Sequence, residues 1–167
     1  MRHIVILGAG TAGTVMANRL ARRYDTEIRE ATLAITIVDQ DPVHLYQPGL
    51  LFIPFGEYTA DDVVKGRQAQ LAKGVRYIQS AVEELDPAHD IVRLADGQSL
   101  RYTLCILATG TRLAPEETEG LTGPGWQEKV FDFYTLEGAE KLAKALAAFT
   151  GGTLAINVVE MPIKCPV

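Results

Sequence analysis

A β-branched run, His3-Ile4-Val5-Ile6-Leu7, leads directly into Gly8-Ala9-Gly10-Thr11-Ala12-Gly13, and a helical pattern follows at once. A Gly-x-Gly-x-x-Gly turn between a strand and a helix is the phosphate-binding corner of a βαβ nucleotide-binding unit. Each glycine has a separate steric task. The first permits the tight turn, the second lets backbone approach a pyrophosphate, and the third lets helix and strand pack closely. Free N–H groups at the helix start, together with the positive end of the helix dipole, attract phosphate. Gly8, Ala9, Gly10, Thr11, Ala12 and Gly13 are therefore read as cofactor-binding.

The flanking pattern agrees. Residues 3–7 read as a buried parallel strand. In the helix over residues 11–24, Val15, Met16, Leu20 and Ala21 supply an apolar face, while Arg19, Arg22 and Arg23 face water. Ala17 extends the close packing by one helical turn. Residues 25–32 read as a loop and residues 33–38 as a second buried strand, with Asp39 and Gln40 at its carboxyl end. Asp39 lies 26 residues after Gly13, somewhat beyond the usual ~20. Its carboxylate is placed to accept hydrogen bonds from a ribose diol and would repel a 2′-phosphate, which argues against NADP at this site.

Residues 41–58 contain Pro42, Pro48, Pro54, Gly49 and Gly56. Proline cannot continue a helix or a central strand, so this stretch reads as a long irregular loop or a short broken helix, rich enough in Leu, Phe and Tyr to pack. Residues 59–73 fit a helix with Thr59 as its cap, and 75–79 a third strand. Segments 82–85, 91–94 and 100–102 form a small antiparallel meander, with turns at Asp86-Pro87 and Asp96-Gly97. Residues 104–108 are another buried strand, closed by Thr109-Gly110. A helix begins at Thr135 and runs to about Phe149, and residues 153–158 read as a last strand. The fold class is α/β: a Rossmann-like, three-layer FAD/NAD(P)-binding fold with an antiparallel β-meander insertion. The expected domains are a dinucleotide-binding domain at 1–112, a linker at 113–134, and the start of a truncated second dinucleotide-binding-like domain at 135–167.

With 16 Lys and Arg against 21 Asp and Glu, the net charge of -5 gives no basic footprint for nucleic acid. No apolar run approaches the roughly 20 residues that span a bilayer. Cys105 and Cys165 make neither a disulfide framework nor a metal pattern, and His3, His44 and His89 show no metal-ligand spacing. The expectations are no metal and a cytoplasmic location.

The meander followed by Ala108-Thr109-Gly110 resembles the FAD domain of the two-dinucleotide-domain flavoprotein reductases. That resemblance implies FAD, with Ala108, Thr109 and Gly110 close to the flavin nucleotide and the Val82 backbone against the adenine. Tyr46-Gln47-Pro48-Gly49-Leu50-Leu51-Phe52-Ile53-Pro54-Phe55-Gly56 and Met161-Pro162-Ile163-Lys164-Cys165-Pro166 are more specific. Together they resemble the sulfide:quinone oxidoreductases and related FAD-dependent sulfide dehydrogenases, over their amino-terminal part only. In that family electrons pass from sulfide through a cysteine pair to FAD and then to quinone, at a membrane surface. The resemblance implies Cys165 as the catalytic thiolate or persulfide facing the flavin, and Gln47 and Pro48 beside the flavin. Its partner cysteine would lie beyond Val167, so the chain alone is not expected to turn over. Cys105, inside an apolar strand, is expected in the core. Two alternatives stand beside this reading: a type II NADH:quinone reductase-like enzyme and a non-catalytic FAD-binding fragment. Residues 153–158 lead to Glu160-Met161-Pro162 rather than to a second glycine turn, which disfavours NADH.

Overall fold

The structure is a computed structural model that describes residues 1–158. Two compact units make up the chain. Among the described residues, one comprises residues 1–45 and 65–111, the other residues 46–64 and 112–158.

The first unit is built on a parallel sheet. β1 (Arg2–Leu7), β2 (Leu33–Asp39), β5 (Val75–Gln79) and β9 (Leu104–Leu107) lie in the order β5-β2-β1-β9. The register sets Ile4 opposite Ile35 and Leu104, and Asp39 opposite Gln79. Side chains alternate across a strand, so β1 presents two apolar sets to two different layers. Ile4 and Ile6, with Leu33, Ile35 and Ile37, pack on Ala17 and Ala21 of α1 (Thr11–Arg23). Val5 and Leu7, with Val38 and Ile78, pack on Val92, Leu94 and Leu100. The last three come from an antiparallel meander of β6 (Val82–Asp86), β7 (Ile91–Leu94) and β8 (Ser99–Arg101). Helix, parallel sheet and meander are thus the three layers expected, and both faces of the sheet are covered, as parallel strands require.

Three local expectations fail. Residues 25–32 are not all loop: α2 (Asp25–Arg29) forms there. Asp25 and Glu27 suit the positive helix end, and Arg29 bridges back to Asp25 at 2.9 Å. Residues 59–73 are not one helix. Thr59 does cap α3 (Ala60–Val63), its N–H donating to the Asp62 carboxylate at 2.8 Å, but the helix stops after one turn. The chain then forms β4 (Val64–Gly66), which pairs with β3 (Val43–Leu45), and a 3-10 turn at Gln68–Gln70. Two consecutive valines and a glycine weaken the helix, and pairing with β3 overrides what helical preference remains. Residues 153–158 form no strand and lie exposed, with Ile156 86% accessible. A strand exists only through pairing, and among the described residues none pairs with this one.

Of the stretch 41–58, expected as irregular loop or short broken helix, residues 43–45 form β3 in the first unit, and in the second unit Gln47–Phe55 form a 3-10 helix that Gly56 closes at φ 73°. α4 (Leu136–Ala148) begins where Thr135 accepts the Gly138 N–H at 2.9 Å. Among the described residues no helix is long and apolar enough to cross a membrane.

Candidate functional site

The carboxyl ends of β1, β2 and β9 converge on the glycine turn, which is where open α/β sheets bind ligands. The Gly8 N–H donates to Val38 O, and the Ala108 N–H to Leu7 O, both at 2.8 Å. Gly8 sits at φ +98°, and a Cβ there would lie 2.3 Å from Ala108 O. A Cβ on Gly13 would lie 1.9 Å from Gly8 O. Turn, helix start and β9 are therefore packed so closely that only hydrogen fits at these two positions.

Gly10 differs. It is the N-cap of α1 in extended backbone, and nothing lies within 4 Å of where its Cβ would be. Among the described residues no protein group accepts the N–H of Gly10, Thr11 or Ala12. Open volume in front of unpaired amides at the start of a 13-residue helix has the form of an anion cradle. A side chain at residue 10 would fill it.

Asp39 closes one side of this cradle. Its Oδ2 accepts the Ala9 N–H at 2.6 Å, and its Oδ1 accepts the Asp41 N–H at 2.9 Å. A carboxylate offers about four lone-pair sites, so capacity remains for a ribose hydroxyl. Gln40 follows directly, and the Ser80 N–H donates to Asp39 O at 3.0 Å, which brings the chain leading to Val82 to the same carboxyl end of the sheet. Sequence reasoning missed Arg67, buried at 9% exposure. Its guanidinium donates to Ala9 O, donates to Asp41 O at 2.8 Å, and lies 3.4 Å from Asp39 Oδ2. No local signal marks it, because the residue falls inside the segment misread as helix. Tyr77 completes the group by donating to Asp41 O at 2.8 Å. Burial, and then the Asp39 charge, push its phenol above the ordinary value, against the opposing pull of Arg67.

Gly8 to Gly13, Asp39, Gln40, Val82, Ala108, Thr109 and Gly110 all belong to the first unit. Gln47 and Pro48 belong to the second, where they start the 3-10 helix. Gly49 beside them is buried by packing: a Cβ there would come within 2.4 Å of Val63. Cys165 lies outside the described residues. Cys105 is half-buried, packed against the core beneath the meander, and burial raises its thiol pKa. His3 is structural as well, its ring bridging Arg101 O at 2.7 Å and Thr36 Oγ1 at 2.8 Å.

Residues 2–159 match the pyridine nucleotide-disulphide oxidoreductase family. The chain belongs to that family. Its members are FAD-binding flavoproteins, and FAD is the cofactor. The open cradle at Gly10, the amides behind it and the anchored Asp39 fit the dinucleotide part of that molecule. Among relatives of this chain, mouse mitochondrial sulfide:quinone oxidoreductase is 30% identical over 163 residues, which is 98% of the chain. The chain spans 35% of the length of that protein. An NADH dehydrogenase-like protein of Mycobacterium tuberculosis is 27% identical over 92% of the chain and 36% of its own length. In structure, the sulfide:quinone oxidoreductase of Aquifex aeolicus superposes with a TM-score of 0.63 at 22% identity, covering 89% of this chain and 32% of that one. This last likeness concerns the fold.

Proposed function

We propose that this chain is the FAD-binding amino-terminal portion of a sulfide:quinone oxidoreductase-like flavoprotein, which oxidises sulfide and passes the electrons to quinone. The observation that carries the cofactor site is the contrast among the three motif glycines. Gly8 and Gly13 are closed by protein, while Gly10 faces open space. The substrate reading rests on the 30% identity with the mouse enzyme and on the Gln47-Pro48-Gly49 and Lys164-Cys165-Pro166 segments.

Bound FAD supplies a two-electron acceptor. In this proposal the amides at the start of α1 bind the pyrophosphate and Asp39 accepts from the ribose. The Val82 backbone meets the adenine, and Ala108, Thr109 and Gly110 line the nucleotide. Gln47 and Pro48 border the flavin, and Cys165 is the thiolate that delivers electrons from sulfide. The first test is the visible spectrum of the purified chain, alone and after FAD is added. Retained flavin in the wild type and none in Gly10→Val is the expected pair of results. Equal flavin retention in both would sink the cradle assignment.

A second reading, an NADH-oxidising enzyme, is favoured by the mycobacterial relative. Anaerobic addition of sulfide or of NADH to the flavin-loaded protein separates the two. Bleaching by NADH and not by sulfide would replace the first reading with the second.

A further inference from the structure

We propose that Arg67 is a positioning residue for the nucleotide, fixing Asp39 and the Ala9 peptide in the geometry that reads an adenosine ribose. The inference rests on the FAD-site reading above and extends it to a residue outside the glycine motif. Three acceptors from two stretches of chain meet on one guanidinium: Ala9 O in the turn, and, at the end of β2, Asp41 O and the Asp39 carboxylate, the latter at 3.4 Å. The Arg67 main chain is fixed too, its N–H donating to Pro42 O at 3.0 Å. The side chain is nine-tenths buried, and its carboxylate neighbour Asp39 is 13% exposed.

A buried guanidinium needs both a counter-charge and acceptors for its donors. Arg67 finds both in groups that frame the cradle. The contact has two consequences for Asp39. Its Oδ2 is held by the Ala9 N–H and Arg67 together, which fixes the rotamer, so a ribose meets a carboxylate already in place and little ordering is needed on binding. Its charge is also partly compensated, Arg67 being shared with the exposed Asp41 carboxylate at 3.9 Å, so an incoming diphosphate meets less negative charge than a lone Asp39 would present. Lysine could not reproduce this, because a single ammonium lacks the planar fork that reaches several acceptors at once.

The test uses the 167-residue chain and two probes, ADP and 2′-deoxy-ADP, titrated calorimetrically, with circular dichroism to confirm folding. In the wild type, one hydroxyl donating to a fixed carboxylate makes ADP the tighter ligand by about tenfold. Asp39→Asn sets the scale for losing that preference. Arg67→Met is expected to bring the ratio to within about twofold of unity, with Arg67→Lys in between. If Arg67→Met does not fold, the drop in Arg67→Lys carries the test. Equal weakening of both nucleotides, with the ratio kept, would mean that Arg67 only supports the fold and would overturn the proposal. A wild type that binds both nucleotides equally would also overturn it, while leaving the pyrophosphate cradle intact. A wild type that binds neither nucleotide, nor FAD, would refute the cofactor-site reading itself, and the role of Arg67 with it.

Discussion

Replacing Gly13 by alanine isolates the packing term at the heart of the first unit. In an open helix this change would help, because alanine is favoured over glycine by about 1 kcal/mol. Here the new Cβ would lie 1.9 Å from Gly8 O and 3.4 Å from the Ala108 Cβ. Relief requires moving the turn or the helix by about 1 Å, and both are tied to β1 and β9. Overpacking of this kind costs about 1–3 kcal/mol, and about 4 kcal/mol is expected where, as here, the new carbon meets backbone, which leaves a net loss of about 3 kcal/mol after the propensity gain. At roughly 2–4 °C per kcal/mol for a chain of this size, the Tm falls by about 6–12 °C. The assay is thermal unfolding followed by circular dichroism without cofactor, so that ligand binding does not enter. Gly10→Val is the matched control: its side chain meets open space, so Tm should stay within about 3 °C while flavin binding is lost. If Gly13→Ala melts with the wild type, or if Gly10→Val melts as far below it as Gly13→Ala, the division of labour among the glycines is wrong.

Thr135→Ala removes the acceptor for the Gly138 N–H and should cost about 1 kcal/mol of stability, read from urea unfolding. In Cys165→Ser, the remaining thiol, Cys105, should react with an aromatic disulfide more slowly than a free thiol at pH 8, because burial raises its pKa; reaction at the free-thiol rate would contradict its place in the core. Asp86 is held below the ordinary carboxylate range, first by its hydrogen bond with His89. Its folded pKa is depressed, so its contribution to stability is complete above the unfolded carboxylate pKa and is lost as pH falls through the lower folded value. An NMR titration should show the Asp86 midpoint rising in His89→Ala.

β1, β2 and β9 were legible because each is a short apolar run closed at or just after its end by glycine or an acid, whereas β3 and β4 were not. The meander was legible because Asp86-Pro87 and Asp96-Gly97 mark its turns. The corner at Gly8 to Gly13 was legible for the same local reason: steric need for glycine leaves a pattern in the chain. Arg67 was not legible, since its role depends on the chain returning at residue 67 to meet Ala9 and Asp39, contacts 58 and 28 residues away in sequence. The break after Val63 was hidden likewise, because pairing with Val43–Leu45 decides it. Residues 153–158 show the converse. Their composition suits a strand, but composition supplies no neighbour.

The place of β1 in the sheet has a consequence for how the protein is made. One neighbour, β2, starts at residue 33, but the other, β9, starts only at residue 104, opposite Ile4. At about 5–20 residues per second, a ribosome reaches β9 some 4–14 seconds after it has reached β2. Through that interval β1 presents an unpaired edge along its apolar run Ile4-Val5-Ile6-Leu7. Exit from the ribosome is therefore the stage at which this sequence is most open to strand pairing with another nascent chain, and at which a chaperone has most to protect.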